Sequence, residues 1–452
     1  MSADSLLAKS RRRAIGMALD AAKHSTAYQV LLREHGMRPE QLGLDTPLSS
    51  LPVLTKGNTF GRFSLDELSR PVPIRSIADV LTSSGRGGKS FGYRLTTREV
   101  HEESWFDIDL GLQDVFDVDR KSTLLVNCLP MGVVFRSKAV TVANVSVRED
   151  MACSILRDIG PKFDQTIVCT DPLFVRQLLR EGERAGVDWT QLNTSLIVGE
   201  EMLVESQRDY IAERMGLDLD REPHRLIGSS YGVGELGLNL LFETRETIRI
   251  RRQLRFNAAL QSHLRWQSGR ADLPSVFCYN PLRTLIEVLQ PDAHGYGELC
   301  ITLLDGQAVI ALPRFATGDL GRLLSNDEAQ RASQLAGAGV PWLPMVLVQG
   351  RLKDRFTGMP SVELVKEVLY SNPSLADHVT GAFRLTSSGH GRVLLTVLVP
   401  EVTADLQVRL QACLADFRLD NVDLRLCSAE PSIWHPALDF ERKFAYADPV
   451  TT

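Results

Sequence analysis

The stretch SSGRGGKS at residues 83–90 has a composition suited to binding phosphate. Glycine-rich backbone presents N–H groups to an anion, and the side chains of Arg86 and Lys89 add positive charge. Its final GKS matches the end of the nucleotide-binding P-loop, G-x-x-x-x-G-K-[ST]. However, Ser83 stands where that motif has its first glycine, and residues 91–96 alternate apolar and polar residues like a strand, where the motif requires a helix. The stretch is therefore either another phosphate-binding loop or an ordinary glycine-rich surface loop.

Four further segments place glycine beside polar side chains that could do chemistry. They are SSYGVGE (residues 229–235), GEL (297–299), RFATGDL (314–320) and GRLKD (350–354). Each is weak alone, because Tyr231 could pack in a turn with Glu235 in solvent, and Thr-Gly-Asp at Asp319 is a common surface turn. Together they place an aromatic ring, carboxylates and cations beside glycine-containing backbone.

Short apolar runs alternate with amphipathic helices through the middle of the chain. The predicted strands are residues 122–127, 166–169, 195–198 and 225–227. Such runs are typical of strands covered on both faces. Between two of them, Asp171 and Pro172 supply the N-cap and the first position of a helix, and residues 202–215 form the next predicted helix. This alternation predicts a layered α/β domain with a mostly parallel sheet.

The two ends of the chain differ from this middle part. Residues 1–45 are predicted to be helical, and beyond Gly297 three strands joined by tight turns indicate a β-rich subdomain. Those strands are predicted at residues 298–303, 307–311 and 345–348. Residues 351–452 predict a helix (361–370), a hairpin around 387–391, a helix (403–417) and a strand (422–426), enough for a small α+β domain. We therefore predict one domain over residues 1–350 and a second over residues 351–452.

Composition limits the possible partners and location. The chain has 452 residues, of which 44% are hydrophobic, so it can bury a large core and should form two or more domains. A net charge of −5 makes nucleic acid a poor candidate partner. No apolar run approaches the roughly 18 residues of a membrane span, and the N-terminus lacks the apolar part of a signal peptide. We expect a soluble cytoplasmic protein.

Cysteine and histidine spacing gives no indication of a disulfide framework or a zinc site. The seven cysteines are scattered without a C-x-x-C pair, and the nine histidines show no metal-binding spacing. We expect reduced cysteines in the core.

In this order, the glycine-rich loop and the four segments resemble the adenylate-forming superfamily of acyl-CoA ligases, adenylation domains and luciferases. The resemblance runs from about residue 20 to residue 445. The phenylacetate-CoA ligase-like branch is the most similar, through LPVLTK at residues 51–56 and the GxE stretch Gly199-Glu200-Glu201 ahead of YGxxE. The resemblance implies a large N-terminal α/β domain and a small mobile C-terminal domain. It also implies ATP, Mg²⁺ and a carboxylic acid as ligands.

The resemblance assigns roles to individual residues. The triphosphate would be bound by Thr82, Ser83, Ser84, Gly85, Arg86, Gly88 and Lys89. The nucleoside and α-phosphate would be bound by Gly199, Glu200, Ser230, Tyr231, Gly232, Thr317, Asp319 and Arg351, with Tyr231 on adenine and Asp319 on the ribose. Glu235 would be the Mg²⁺ ligand, and Lys353 would be the hinge between the domains.

The resemblance also implies a catalytic lysine near the C-terminus that bridges the acid and the α-phosphate. Lys443 is the candidate, although no glycine precedes it as it does in the family. Arg442 could act in its place, or the segment could be an end strand with Phe440, Phe444 and Tyr446 packed inside. Losing the true cation should slow adenylation by about 10²–10³.

The acid is expected to bind near Met131, Gly132, Val133 and Phe135, whose side chains suit an apolar or aromatic acid or are ordinary core residues. The acceptor could be coenzyme A, an amine or a carrier-protein thiol, and the chain could form a homodimer. Arg86 and Gly87 replace two threonines of the family's phosphate loop. The departure keeps open an inactive nucleotide-binding homologue or a scaffold in a biosynthetic complex.

Overall fold

A computed structural model describes residues 3–83, 91–103, 105–130, 132–222, 224–266, 272–389, 391–432, 434, 439–440 and 443–448. The chain has an α/β fold in which helices cover a large mixed sheet and a smaller C-terminal sheet. Within the described residues, no helix combines the length and apolar character that crossing a bilayer requires.

The helices and strands follow in chain order. The helices are α1 (Ala3–His24), α2 (Thr26–Glu34), α3 (Leu65–Leu68), α4 (Arg98–Glu103), α5 (Trp105–Phe116), α6 (Glu149–Asp158), α7 (Pro172–Ala185), α8 (Glu205–Arg214), α9 (Arg245–Leu254), α10 (Ala258–His263), α11 (Asn326–Ala336), α12 (Val362–Tyr370), α13 (Pro373–Ala376) and α14 (Ala404–Asp416). The strands are β1 (Ile77–Thr82), β2 (Tyr93–Thr97), β3 (Thr123–Asn127), β4 (Thr141–Asn144), β5 (Gln165–Thr170), β6 (Thr194–Val198), β7 (Ile227–Val233), β8 (Gly237–Phe242), β9 (Ser275–Cys278), β10 (Thr284–Leu289), β11 (Gly297–Leu303), β12 (Phe315–Leu323), β13 (Met345–Arg351), β14 (Phe383–Gly389), β15 (Arg392–Leu398), β16 (Val422–Cys427) and β17 (Ala447–Asp448).

The large sheet has eleven strands in the order β10-β11-β12-β13-β9-β8-β7-β6-β5-β3-β4. The pairs from β4 to β7 are parallel, as the alternating pattern predicts, and the pairs from β7 to β10 are antiparallel. Every residue of β3 and β5 is buried, which accounts for their unbroken apolar runs. The predicted parallel sheet and β-rich part are thus two halves of one continuous sheet.

The helix after β5 shows how the sequence sets an element boundary. The side chain of Asp171 accepts the N–H of Leu173, and Pro172 occupies the first helical position of α7. Gly186, with φ of 73°, ends the helix in the left-handed conformation that glycine tolerates best. Because its cap follows the last residue of β5 directly, α7 starts at the carboxyl edge of the sheet.

A buried ionic network lies where the two halves of the sheet meet at β7. Arg208 of α8 is fully buried and binds Glu205 at 3.1 Å and Glu243 at 2.9 Å. It also donates to the carbonyl of Ile227, and Glu243 accepts the N–H of Ser229 at 2.8 Å. The network therefore satisfies backbone groups of β7 as well as its own charges.

The C-terminal segment, residues 351–448, packs on α7 and α8. It contributes α12 to α14 and the sheet β16-β15-β14-β17. Phe440 lies edge-on to Phe174 of α7, with ring centroids 5.5 Å apart, and Tyr370 of α12 lies 5.6 Å from Tyr210 of α8. One apolar cluster runs from the parallel sheet through these helices into the small sheet.

Two strand predictions differ from the structure. Residues 307–311 form a loop, in which Val309 and Ile310 are buried and the carbonyl of Val309 accepts the N–H of Arg70. An apolar run indicates that a segment is buried, and this segment is buried without pairing as a strand. Strand β7 begins at Ile227, two residues later than predicted, and extends to Val233. The predicted helix at 202–215 begins later, at Glu205.

Replacing Arg208 by methionine keeps most of the aliphatic volume but leaves Glu205 and Glu243 without their main partner. Because removing one member of a buried ionic network is costly, we expect the free energy of unfolding to fall by about 3–5 kcal/mol, measured by chemical denaturation. Arg157→Ala, which breaks the exposed pair between Arg157 and Asp158, should leave it nearly unchanged, because water screens exposed ion pairs. Equal losses in the free energy of unfolding of the two variants would contradict a dominant role for the buried network in stability.

Candidate active site

Side chains from distant parts of the chain meet beside the large sheet. Asp171, Glu200 and Glu201 follow the parallel strands β5 and β6, and Tyr231 lies near the end of β7. The carboxyl ends of parallel strands share one edge, which is where open α/β sheets bind ligands. The antiparallel strands β12 and β13 and the last segment of the chain supply the other members.

Tyr231, Asp319 and Arg351 form the first group. Tyr231 donates its hydroxyl hydrogen to Asp319 at 2.6 Å, and Arg351 lies 3.9 Å from the other carboxylate oxygen. Strand pairing places Asp319 directly opposite Arg351. Burial raises the pKa of Asp319 above its usual value, against the opposing effects of Arg351, Tyr231 and Lys443. Burial and the neighbouring Asp319 raise the pKa of the Tyr231 phenol, which keeps its proton and remains a donor.

Hydrogen bonds orient the turn that carries Asp319. The N–H of Asp319 donates to the hydroxyl of Thr317 at 3.2 Å, and Thr317 donates to the carbonyl of Leu299 at 3.1 Å. Gly318, with φ of 78°, donates its N–H to Glu298 at 3.0 Å. Glu298 belongs to the GEL segment, so that segment supports the turn from the neighbouring strand.

Glu235 forms the second group with Lys56 and with residues next to the β1–β2 hairpin. Its carboxylate is buried and lies 3.5 Å from the ammonium of Lys56, which also donates to the hydroxyl of Ser83 at 2.6 Å. Ser83 accepts the N–H of Gly92 at 2.9 Å. A Cβ on Gly92 would lie 2.3 Å from the Glu235 side chain, so only glycine allows this approach.

Glu200 and Glu201 form the third group with the C-terminal segment. The ammonium of Lys443 lies 2.9 Å from Glu200, and that of Lys366 lies 2.8 Å from Glu201. Tyr446 donates its hydroxyl hydrogen to Glu201 at 2.8 Å. Lys443 is also close enough to Asp319 to lower the pKa of that carboxyl, so the third group adjoins the first.

Asp171 is the buried neighbour of this third group. Burial, followed by repulsion from Glu201 and Glu200, raises its pKa from 3.8 to about 8, against the hydrogen bond from Leu173 and the attraction of Lys366. The carboxyl group is therefore neutral at physiological pH and adds no third negative charge.

The predicted end strand is present only as β17 at residues 447–448, and residues 443–446 precede it without strand structure. Phe444 and Tyr446 are buried, with Phe444 against Trp434 at 4.9 Å, while Lys443 points to Glu200. Alternate residues thus anchor the segment and present the cation. Arg442 lies outside the described residues.

The other predicted site residues have varied surroundings. Thr82 pairs with Tyr93 in the β1–β2 hairpin. Ser230 is hydrogen-bonded to Asn239 at 3.0 Å, and a Cβ on Gly232 would lie 3.0 Å from the backbone of Gly237. A Cβ on Gly199 would lie 3.2 Å from Leu129. Ser84, Gly85, Arg86, Gly88, Lys89 and Met131 lie outside the described residues.

The predicted acid-binding and hinge residues are placed as follows. Val133 is buried in an apolar cluster with Phe135 beside it, and the carbonyl of Val133 accepts from Asn127 at 2.7 Å. Gly132 has φ of 68°. Lys353 is exposed in a short helical turn just after β13.

The sequence assigns no site role to Lys56 or Lys366, and it considers Tyr446 only as a packed residue of the tail segment. Lys56 ends the LPVLTK stretch, which supports the family resemblance. Its partner Glu235 is distant in sequence, so the sequence alone does not predict their pairing. Lys366 occurs in the apolar helix α12, where a buried lysine is rare enough to suggest a partner.

Chemically, the three groups combine a carboxylate that can accept hydrogen bonds from hydroxyl groups, a buried carboxylate beside a lysine, and two further lysines that are each held by a glutamate. Asp319 and Tyr231 suit a polyol and a planar ring. Lys443 and Lys56 can face anions without a proton transfer. The arrangement suits an anionic nucleotide.

The chain shares its fold with solved acyl-CoA and acyl-adenylate ligases. A 2-hydroxyisobutyryl-CoA ligase in the postadenylation state, in complex with 2-HIB-AMP, is 15% identical with a TM-score of 0.66, over 99% of this chain and 89% of that one. The same ligase with 2-HIB-AMP and CoA in the thioesterification state scores 0.55 at 15% identity, over 100% and 91%. A structure from work on fatty acyl-adenylate ligases from E. coli and L. pneumophila scores 0.50 at 15% identity, over 98% and 80%.

These likenesses show that the chain has the adenylate-forming ligase fold that the sequence predicts. The TM-score of this chain is higher against the postadenylation state of the 2-hydroxyisobutyryl-CoA ligase than against its thioesterification state. No family model matches the sequence. No curated protein matches it either.

The raised pKa of Asp171 predicts a pH-dependent stability. The folded state keeps a proton that the unfolded state releases above about pH 4, so this contribution is complete below that pH and is lost as pH rises through about 8. Asp171→Asn retains the capping oxygen but cannot titrate. Its free energy of unfolding should therefore rise relative to wild type between about pH 5 and 8, by up to about 1.4 kcal/mol per pH unit. Parallel profiles from urea titrations would contradict the assignment.

Proposed function

We propose that this protein is an ATP- and Mg²⁺-dependent ligase that converts a carboxylic acid to an acyl-adenylate and transfers the acyl group to a thiol, with coenzyme A as the acceptor. The observation that carries the proposal is that Tyr231, Asp319 and Arg351 form one group, while Lys443, held at 2.9 Å from Glu200, is near enough to lower the pKa of the Asp319 carboxyl. In the first step a carboxylate oxygen of the acid attacks the α-phosphorus of ATP. The bond to the bridging oxygen breaks, and pyrophosphate leaves with the electron pair.

Lys443 would contribute electrostatic stabilisation to this step. Its ammonium would face the acid carboxylate and the α-phosphate as negative charge redistributes between them. In the second step the sulfur of a thiolate attacks the acyl carbon and AMP leaves. The higher TM-score against the postadenylation state supports an arrangement of the C-terminal segment suited to the first step.

Nucleotide binding would use the first group and the hairpin. The proposed contacts are Tyr231 against adenine and Asp319 with Arg351 at the ribose hydroxyls, with Gly199, Ser230, Gly232 and Thr317 around them. Thr82, Ser83 and the loop that follows would hold the phosphates. Lys56, which already binds Ser83, is an added candidate for that role.

Glu235 fits a role as the protein ligand to Mg²⁺. The described residues contain no cluster of three metal-ligating side chains, and Mg²⁺ is commonly held by one or two carboxylates together with phosphate oxygens and water. A single buried carboxylate beside Gly92, which follows the proposed phosphate loop in the sequence, meets that requirement. When bound, the ion would neutralise phosphate charge. Lys56 balances Glu235 in the structure described here.

The finer parts of the proposal concern the acid, the domains and the acceptor. Val133 and Phe135, with Met131 and Gly132 beside them, are proposed to shape an apolar or aromatic acid site. Residues 1–350 and 351–452 are the proposed domains, with Lys353 at the hinge. A carrier-protein thiol or an amine could replace coenzyme A. Because ATP and coenzyme A are substrates, we propose a cytoplasmic location.

An inactive nucleotide-binding homologue is the second candidate, because Arg86 and Gly87 replace two hydroxyl residues of the family's loop. Incubation with ATP, Mg²⁺ and a panel of aryl and medium-chain acids, followed by pyrophosphate measurement, separates the two. Acid-dependent release supports the ligase. Tight ATP binding without release favours the inactive homologue, and absence of ATP binding would overturn both and favour a scaffold.

Replacing Lys443 by alanine tests the proposed catalytic cation. Acid-dependent pyrophosphate release should fall by about 10²–10³, because the charge that faces the reacting carboxylate is lost. Lys162→Ala, which removes an exposed lysine from the short helical turn after α6, should retain the wild-type rate. A normal rate in Lys443→Ala would remove this residue from the mechanism.

The ribose assignment predicts a specific coupling between Asp319 and the nucleotide hydroxyls. Asp319→Asn should raise the KM for ATP by about 10- to 100-fold, since hydrogen bonds to charged groups contribute about 1.5–3 kcal/mol. In wild type, 2′,3′-dideoxy-ATP should suffer a similar loss, and that loss should shrink in the variant. Equal discrimination against the dideoxy nucleotide in both proteins would contradict the contact.

A further inference from the structure

Glu200 occupies a backbone conformation that a residue with a side chain rarely adopts. Its φ is 69°, and the N–H of Glu201 donates to the carbonyl of Gly199 at 2.8 Å across it. A hydrogen bond between residues two apart closes a tight turn that is strained when its central φ is positive. Such strain tends to persist at functional sites, where the surroundings hold it in place.

The strained turn directs the Glu200 side chain to Lys443. The carboxylate and the ammonium are 2.9 Å apart, and their side chains are only 9% and 16% exposed. A pair this shielded from water is little screened by salt. Glu200 therefore holds the very lysine whose charge the proposed reaction needs.

Glu200 is not needed to attach the C-terminal segment. Glu201 already binds Lys366 and Tyr446 of that segment. Glu367 of α12 accepts the N–H groups of Glu205 and Ser206 at the start of α8, at 2.9 and 3.0 Å. Arg255 binds Glu367 as well, at 3.0 Å. With attachment provided by these contacts, the Glu200 pair has a separate effect, which is the placement of one ammonium group.

We propose that Glu200 is a positioning residue that seats Lys443 beside Asp319 before the substrates bind. The proposal rests on the proposed function, and it assigns Glu200 to Lys443 in place of the nucleotide contact that the sequence resemblance implies. A lysine side chain has many rotamers, and ordering it in advance removes that entropy from the reaction step. The ammonium has three N–H donors, so one can remain on Glu200 while the others face the acid and the α-phosphate.

Two substitutions separate positioning from a structural role. Glu200→Gln keeps the size but loses the charge, and Glu200→Gly also relieves the positive φ. Both should lower the kcat of acid-dependent pyrophosphate release by about tenfold, with the KM for ATP changed less than about twofold. Glu200→Gly should nevertheless have a higher midpoint of thermal unfolding than Glu200→Gln, because both variants leave Lys443 without its carboxylate but only glycine relieves the backbone strain.

Arg418→Gly is the matched control for the release of strain. Arg418 is exposed after α14 and has φ of 57°, so glycine should stabilise the protein there without changing the rate. A lower thermal midpoint in Glu200→Gly than in Glu200→Gln, or an unchanged kcat in both Glu200 variants, would overturn the proposal.

Chemical labelling tests the pairing without catalysis. Acetic anhydride acetylation, followed by mass spectrometry, should modify Lys443 more slowly in wild type than in Glu200→Gln. In Glu201→Gln, Lys366 should gain reactivity and Lys443 should not. Equal Lys443 labelling in wild type and Glu200→Gln would overturn the proposal. Failure of wild type to release pyrophosphate with any acid would instead overturn the proposed function, while labelling still decides whether Glu200 holds Lys443.

Discussion

The two ion pairs between the end of β6 and the C-terminal segment set the constraint on which the proposed site depends. Glu200 and Glu201 bind Lys443 and Lys366 with most of both pairs withdrawn from water. Desolvation offsets much of the attraction in such pairs, so their net contribution to stability is small. Removing one partner is costly, because the other charge remains buried. Contacts of this kind specify a position strongly while contributing little to the free energy that holds the segment closed.

The charge balance around these pairs follows from the geometry. Three carboxyl groups, Asp171, Glu200 and Glu201, come from two adjacent strand ends, while the C-terminal segment supplies two lysines. The raised pKa of Asp171 resolves the mismatch, since a carboxyl group with a pKa of about 8 stays protonated at neutral pH. The two lysines and the proton on Asp171 thus together balance the negative charge of three carboxylates. Lys56 and Glu235 balance each other at the hairpin in the same way.

Sequence reasoning reached the residues whose type is informative by itself. Tyr231, Asp319 and Arg351 lie in glycine-rich segments, and strand pairing brings the last two face to face. Pairings between distant segments, such as Lys366 with Glu201, could not be derived, because both residues occur in ordinary helical or turn contexts. The strand prediction at residues 307–311 was wrong for a related reason. Apolar character indicates that a segment is buried, and the chain buries this segment in a loop. The strain at Glu200 depends on φ, which the residue type does not reveal.

The position of Tyr231 depends on how β7 passes from one half of the sheet to the other. Its first residues pair with β6 in parallel, and pairing with β8 begins only at Ser230. The backbone on the β8 side of Ile227 and Ser229 therefore needs other partners, because buried backbone groups are almost always hydrogen-bonded. Arg208 donates a hydrogen bond to the carbonyl of Ile227, and Glu243 accepts the N–H of Ser229. Apolar residues could fill the same volume but could not satisfy these groups, which explains why a charged network lies two residues before the proposed adenine-binding side chain.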